Sequence, residues 1–393
     1  MARPIVRIAP DEYSIDDLNA VGIIYGLGGD FRKSAWYTAS GSPDPHAPGD
    51  LFSTRDPQYH SALRRKIASL YAMSTLVKLE HYVDDCTSLL ASQFEGFART
   101  GEEIDLGHWL QCYAFDVIGA ITLGKRFGFL DKGEDIGGIM NSIISYLIYA
   151  SRVRVYSEYH RVASFLWPYL PGRKATGSTV VDFSAKKVEE RLAAKTDSSE
   201  VGSDLLSRLV EMQKANPESM EMHLLSNLIR TPQCFRAVRD EIDQIGAEGT
   251  ISDPVTFEET QKMPYLQAVI KESLRMHPAT GLPLGRVVPQ GGRSIAGQFI
   301  PEGTVVGINS WVAHANQSVF GTDASQFRPE RWLGSKERAK AMSSYSMTFG
   351  AGSRTCIGKN ISLLEIAKVI PQLVRNFELQ MPNPKTEVET VNH

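Results

Sequence analysis

A chain of 393 residues is long enough for one large core or two modest domains. With 42% hydrophobic residues, 22% charged residues, a net charge of −3 and a mean hydropathy of −0.20, it has the composition of a folded globular protein. That balance excludes broad disorder, and it excludes polyanion binding, nucleic acid included, as the overall role. Four cysteines, Cys86, Cys112, Cys234 and Cys356, lie far apart and form no CxxC pair, which points to reduced thiols in a cytosol-facing compartment. Three of them are expected to pack as small apolar residues. The longest apolar stretch, Ile143 to Ala150, is far short of the roughly 20 residues of a membrane span. The N-terminal residues lack the apolar core of a signal peptide.

In chain order, Ile5, Val6 and Ile8 predict a strand, and Ser14 and Asp16 are expected to open a short helix around Ala20 to Tyr25. Gly41 to Asp50, with three prolines and two glycines, reads as a loop. Leu76, Leu79, Val83, Cys86, Leu90, Phe94 and Phe97 recur at three- and four-residue intervals, the apolar face of a helix. Leu106, Leu110, Tyr113, Val117 and Ile121 repeat the pattern. Helices are expected to continue to Trp167, where Pro168, Pro171 and Gly172 break the run. Residues 172–203 read as polar. Further helices are predicted over Leu205–Gln213, Leu224–Ile245, Met263–His277 and from Gly358 onward, with Pro371 as a kink or early end. Ser294 to Val306 alternates short β-prone runs with glycine and proline, the mark of a strand pair. The reading is a mainly α chain with small β-sheets (α+β) forming one domain. It divides into an extended part (1–56), a helical part (57–280), a small sheet (281–310) and an irregular stretch with a last helix (311–393).

The strongest chemical signal is Phe349-Gly-Ala-Gly-Ser-Arg-Thr-Cys-Ile-Gly358. Gly350 and Gly352 permit backbone geometries closed to other residues, and hence a tight bulge that leaves Cys356 exposed on its inner side. The helix expected to start just beyond it offers free amides and a dipole that favour an anion. A cysteine so placed can serve a metal as its thiolate. Gly358 would let a flat ring approach the helix start. The alternative is a buried cysteine beside a glycine turn. The pattern Phe-Gly-x-Gly-x-Arg-x-Cys-x-Gly, however, resembles the cysteine-ligand loop of the cytochrome P450 family. That resemblance implies a haem b whose iron is held by Cys356, with Phe349, Gly350 and Gly358 shaping its seat.

The resemblance extends to three further motifs. Glu272-Ser-Leu-Arg275 and Phe327-Arg-Pro-Glu-Arg331-Trp332 match the family's buried triad, in which Glu272 sits between the guanidiniums of Arg275 and Arg331 and braces the wall behind the cysteine loop. His60 and Arg64, one helical turn apart, match the family's propionate-binding helix, and Arg286 and Arg354 match its other propionate contacts. Each of these cations would otherwise be a surface charge. Lys336, Arg338, Lys340 and Lys359 form a basic cluster on the side where family members dock an acidic electron-transfer partner, NADPH-cytochrome P450 reductase. A solvated loop is the alternative.

By this resemblance the chain is a monomeric haem-thiolate monooxygenase that uses O2 and NADPH-derived electrons to oxidise a small apolar substrate. The opening Pro-Ile-Val-Arg-Ile-Ala-Pro and the Phe-Arg-Lys-Ser-Ala-Trp-Tyr segment look like fungal, pisatin-demethylase-like members, which tailor secondary metabolites. Substrate choice would rest on variable loops around Ser40–Tyr59 and Ile139–Tyr156. Two departures stand out. The resemblance implies an N-terminal anchor that holds family members to the endoplasmic reticulum, and the sequence is expected to lack one. The long central helix over the distal haem face, with its small-Gly-x-acid-Thr motif, is also absent. Only 14 residues separate Pro217 from Pro232, and even wholly helical they reach about 21 Å. Glu221 and Ser226 are the nearest polar residues, without the motif around them. Roughly two dozen residues are missing by the length of a domain-crossing helix. Two other readings follow: a truncated, catalytically impaired haem-binding variant, and a haem-thiolate isomerase or dehydratase that needs no oxygen.

Overall fold

The computed structural model describes residues 4–39, 41, 49–154, 157, 160, 178–193, 220–249 and 251–381. The expected helix at Leu205–Gln213, the breaks at Pro168, Pro171 and Gly172, and most of the Gly41–Asp50 loop lie outside these residues. Ten helices of eight or more residues are present among them: α1 (Pro57–Ile67), α2 (Glu80–Thr100), α3 (Leu106–Leu123), α4 (Ile139–Val153), α5 (Ser178–Ala193), α6 (Met220–Arg230), α7 (Pro232–Ala247), α8 (Pro264–Met276), α9 (Lys336–Tyr345) and α10 (Lys359–Asn376).

Local chemistry sets most of the boundaries. Asp56 accepts from the Gln58 amide and Pro57 fills the first position of α1. Asp105 caps α3 through the His108 amide. Gly101 and Gly124, both with positive φ, end α2 and α3. Three expectations need correction. The single helix Leu224–Ile245 is two, α6 and α7. Pro232 brings no N–H to continue the first helix, yet is well placed to open the second. Pro371 does not end α10, which runs on to Asn376 because its flanks Val369, Ile370, Leu373 and Val374 are buried against α2 and α7. The short helix Ala20–Tyr25 is opened by Asp17, which accepts from the Asn19 and Ala20 amides at 2.9 and 3.0 Å. Ser14 lies instead in a strand, and Asp16 accepts from the Tyr345 hydroxyl at 3.0 Å. Helix α5 falls in the stretch that reads as merely polar.

Among the described residues seven short strands form two sheets: β1 (Ile5–Ala9), β2 (Glu12–Ile15), β3 (Arg32–Lys33), β4 (Arg286–Val287), β5 (Arg293–Ile295), β6 (Gln298–Ile300) and β7 (Val305–Gly307). The larger has the order β1-β2-β7-β4-β3 and is antiparallel except at β2–β7. The expected strand pair is β5–β6, turned at Ala296 and Gly297 with φ of 48° and 76°. Its last residues leave the hairpin as β7 to join the larger sheet. One apolar core lies among α2, α3, α6, α7, α8 and α10. A second lies under the sheet, around Tyr25, Phe320, Trp332 and Tyr345. Between them they position the loop from Phe349 to Gly358. Among the described residues no helix is long and apolar enough to cross a membrane.

Candidate haem-thiolate site

Cys356 is exposed, whereas Cys86, Cys112 and Cys234 are buried. The loop that presents it is closed by the Cys356 amide, which donates to the Phe349 carbonyl at 2.8 Å, and by a tight helical turn over Gly352–Arg354. Gly350 and Gly352 have φ of 69° and 64°. At Gly352 there is a second constraint: a Cβ would lie 1.7 Å from the Tyr25 carbonyl oxygen, so nothing larger fits. Gly358 holds the Ile361 amide at 2.9 Å and precedes α10. A Cβ there would come within 3.8 Å of the Cys356 sulfur, occupying the approach to it. The sulfur thus stands at the mouth of α10, where helix-end amides favour negative charge.

Behind the loop the structure brings together His60, Arg64, Arg286 and Arg354, and adds Lys33. His60, Arg286 and Lys33 are each 4% exposed. Arg64 Nη1 donates to the Thr355 carbonyl at 2.7 Å, joining α1 to the residue before the cysteine. Arg286 Nη1 donates to the Tyr37 hydroxyl and the Gly285 carbonyl, both at 3.0 Å. Arg354 Nη1 is buried with no partner. Among the described residues none of the five makes an ion pair. Burial, reinforced by Arg354, Lys33, Arg64 and Arg286, pushes the His60 imidazole down to about 3. Burial, with Arg354 and Arg286 beside it, lowers Lys33 to about 7. A concentration of buried and half-buried basic groups with no ion-paired acid is a costly arrangement that a dianion would relieve. An exposed cysteine sulfur, a flat approach over glycine and a cationic rim with an unsatisfied guanidinium suit a haem with two propionates.

The triad residues meet in one buried network. Arg275 makes a two-pronged contact with Glu272, Nε to Oε2 at 2.9 Å and Nη2 to Oε1 at 2.8 Å. Arg331 Nε reaches Oε1 at 2.8 Å, and the Trp332 indole N–H donates to Oε2 at 2.9 Å. The remaining guanidinium hydrogens go to the carbonyls of His314, Ala324, Phe320, Asp323 and Gln326, and Arg331 Nη1 also reaches the Asp323 carboxylate at 3.0 Å. Burial works against the Glu272 charge, but Arg275, the Arg328 amide and Arg331 outweigh it and hold the carboxyl below its usual range. The network ties α8 to the irregular stretch that leads to the cysteine loop. Lys336, Arg338 and Lys340, on α9, and Lys359, at the start of α10, are all exposed.

Among the described residues the short run before Pro232 forms α6, an 11-residue helix, about 16 Å long. Leu224, Leu225 and Leu228 are buried, with α8 and α10 as neighbours. Ser226 is half-buried, and the Glu221 side chain lies outside the described residues. Sequence reasoning missed Lys33 and Tyr37 as site residues. Both lie in the Phe-Arg-Lys-Ser-Ala-Trp-Tyr segment, where a lysine between polar residues looks solvent-exposed.

A sequence model of the cytochrome P450 family matches residues 28–225 and 218–393, two pieces that meet inside the short run before Pro232. Pisatin demethylase of Fusarium vanettenii is 38% identical over 406 residues, covering 96% of this chain and 78% of that protein. A cytochrome P450 monooxygenase of Aspergillus terreus is 36% identical over 414 residues (96% and 82%), and cytochrome P450 monooxygenase cicH of Emericella nidulans 34% over 415 (98% and 82%). Each alignment is longer than the 393-residue chain, so these relatives carry residues with no counterpart here. With a family match over nearly its whole length, the chain belongs to the cytochrome P450 family of haem-thiolate monooxygenases.

Proposed function

We propose that the chain binds haem b through Cys356 and oxidises a small apolar substrate in fungal secondary metabolism, with O2 and electrons passed from NADPH by a flavoprotein reductase. The observation that carries the reading is the exposed Cys356 at the mouth of α10, backed by four basic side chains, Lys33, Arg64, Arg286 and Arg354, that make no ion pair among the described residues. A thiolate-bound haem supplies oxygen activation, because the sulfur donates electron density toward the iron and favours O–O cleavage. The chain supplies ligation by Cys356 and charge neutralisation by Arg64, Arg286 and Arg354, with His60 as a neutral hydrogen-bonding partner. The Glu272 triad supplies a rigid backing. The exposed Lys336, Arg338, Lys340 and Lys359 suit an acidic reductase surface, where complementary charge mainly speeds encounter. The names of the fungal relatives support the secondary-metabolic role, and pisatin demethylase suggests oxidative removal of a methyl group as one form of it.

The test is a reduced carbon monoxide difference spectrum of the expressed chain. A thiolate-type Soret band that Cys356→Ala abolishes is the expected result. Identical spectra from both proteins would remove the ligand assignment. A second reading, that the chain binds haem but is catalytically impaired, is favoured by the short α6 and by the family match that breaks at 218–225. It predicts the same spectrum with no NADPH- and oxygen-dependent product. Product formation without oxygen would instead point to isomerase or dehydratase chemistry.

A further inference from the structure

We propose that Asn360 is a positioning residue for the ligand sulfur, a side-chain strut that fixes how the mouth of α10 faces Cys356; the assignment rests on Cys356 holding a haem. The sulfur stands at a junction between two rigid pieces. On one side is the loop that the Cys356 amide closes on Phe349, and on the other is α10, with Ile357 and Gly358 between them. No side chain caps α10. Its first turn closes on the Gly358 carbonyl, which accepts from the Ile361 and Ser362 amides at 2.9 and 3.2 Å. Those bonds hold the helix to itself and leave its direction relative to the loop unset. Asn360, the second residue of the helix, supplies that hold. Its Nδ2 donates to the Tyr71 carbonyl at 2.8 Å, a bond that joins residues 289 positions apart.

Tyr71 lies just beyond α1, whose Arg64 donates to the Thr355 carbonyl at 2.7 Å. One stretch of chain, 64–71, therefore grips the junction twice, at the residue before the cysteine and at the fourth residue after it. The sulfur's charge acts on both Arg64 and Tyr71, which sets the two grips close to it. Asparagine is a poor choice inside a helix on local grounds, because its side chain competes for backbone groups. Here that side chain is half-buried and spent on a distant carbonyl. A hydrogen bond has a preferred direction, so it fixes an angle that apolar contact alone leaves free. The consequence is chemical. Helix-end amides favour an anion only while they face it, and their effect fades within one turn. Without the strut the first turn can swing, and the sulfur loses part of what keeps it a thiolate.

The experiment loads the full chain with haem and records reduced carbon monoxide spectra of the wild type, Asn360→Leu and Asn360→Gln. Leucine keeps the shape of asparagine without the donor, and glutamine keeps the donor on a longer arm. The quantity read is the ratio of the thiolate-type Soret band to the shorter-wavelength band of a haem whose cysteine is protonated or detached. That ratio counts only chains that hold haem, so a smaller folded fraction leaves it unchanged. Asn360→Leu should lower it about fivefold, the size expected for one hydrogen bond made only in the thiolate-bound state. Asn360→Gln should recover most of the loss. An unchanged ratio in Asn360→Leu, or equal falls in both variants, overturns the role of Asn360. A wild-type chain without a Cys356-dependent band overturns the haem site itself, a different result read in a different sample.

Discussion

The two sides of the cysteine loop differ sharply in completeness. On the proximal side Glu272, Arg275, Arg331 and Trp332 form a fully bonded buried network, and Gly350 and Gly352 take the backbone shapes the loop requires. On the expected distal side the short run before Pro232 forms an 11-residue helix, and no acid-Thr pair occurs among residues 218–231. The contrast separates two properties that usually travel together. Holding a cofactor depends on charge and ligation, which are present. Using it depends on delivering protons at the right place, and residues 218–231 offer no acid-Thr pair for that task.

The contrast can be attacked from either side. The largest effect is expected from Glu272→Ala, which strands the buried Arg275 guanidinium and leaves Arg331 the Asp323 carboxylate alone; it should cost about 3–5 kcal/mol, read as a fall in the denaturation midpoint. On the distal side, replacing residues 218–231 with the corresponding, longer segment of a 38% identical relative should raise product formed per NADPH consumed by about 100-fold. No gain would mean that the short helix is not what limits turnover. Gly352→Ala should cost about 1–3 kcal/mol and weaken the thiolate band, because its methyl group would meet the Tyr25 carbonyl in a left-handed backbone position.

A different kind of effect is expected on pH dependence. Lys33 titrates near 7 in the folded chain and near 10.5 in the unfolded one, so the unfolded state binds more protons between those values. Stability of the haem-free chain should therefore be full above about 10.5 and decline as the pH falls toward 7. His60, lowered from 6.5 to about 3, adds a second decline across that acid window. Lys33→Met should flatten the alkaline limb in a denaturant series run at several pH values. An unchanged limb would show that the lysine is not held in this environment.

Much of the fold was legible where one rule acted alone. The apolar repeat from Leu76 to Phe97 found α2 because every third or fourth residue had to enter the core. The loop at Cys356 could be read because few residue types tolerate its backbone. Where local and long-range effects compete, the reading failed. Pro371 looks like a stop, yet burial on both sides carries α10 past it. Asp16 looks like a helix cap, but a tyrosine more than 300 residues away takes its carboxylate. Lys33 was invisible for the same reason: its importance comes from Arg286 and Arg354, distant in the chain, and no neighbour in sequence announces them.

The contact between Gly352 and the Tyr25 carbonyl has a practical corollary. Tyr25 also donates its hydroxyl to the Leu284 carbonyl and accepts from the Ile308 amide, each at 2.9 Å. One tyrosine near the start of the chain thus works as a keystone among three arches that meet beside the sulfur. Trimming or fusing the N-terminus as far as that residue amounts to editing the metal ligand's foundations, and a shortened variant that lost its spectrum would say nothing about membrane attachment.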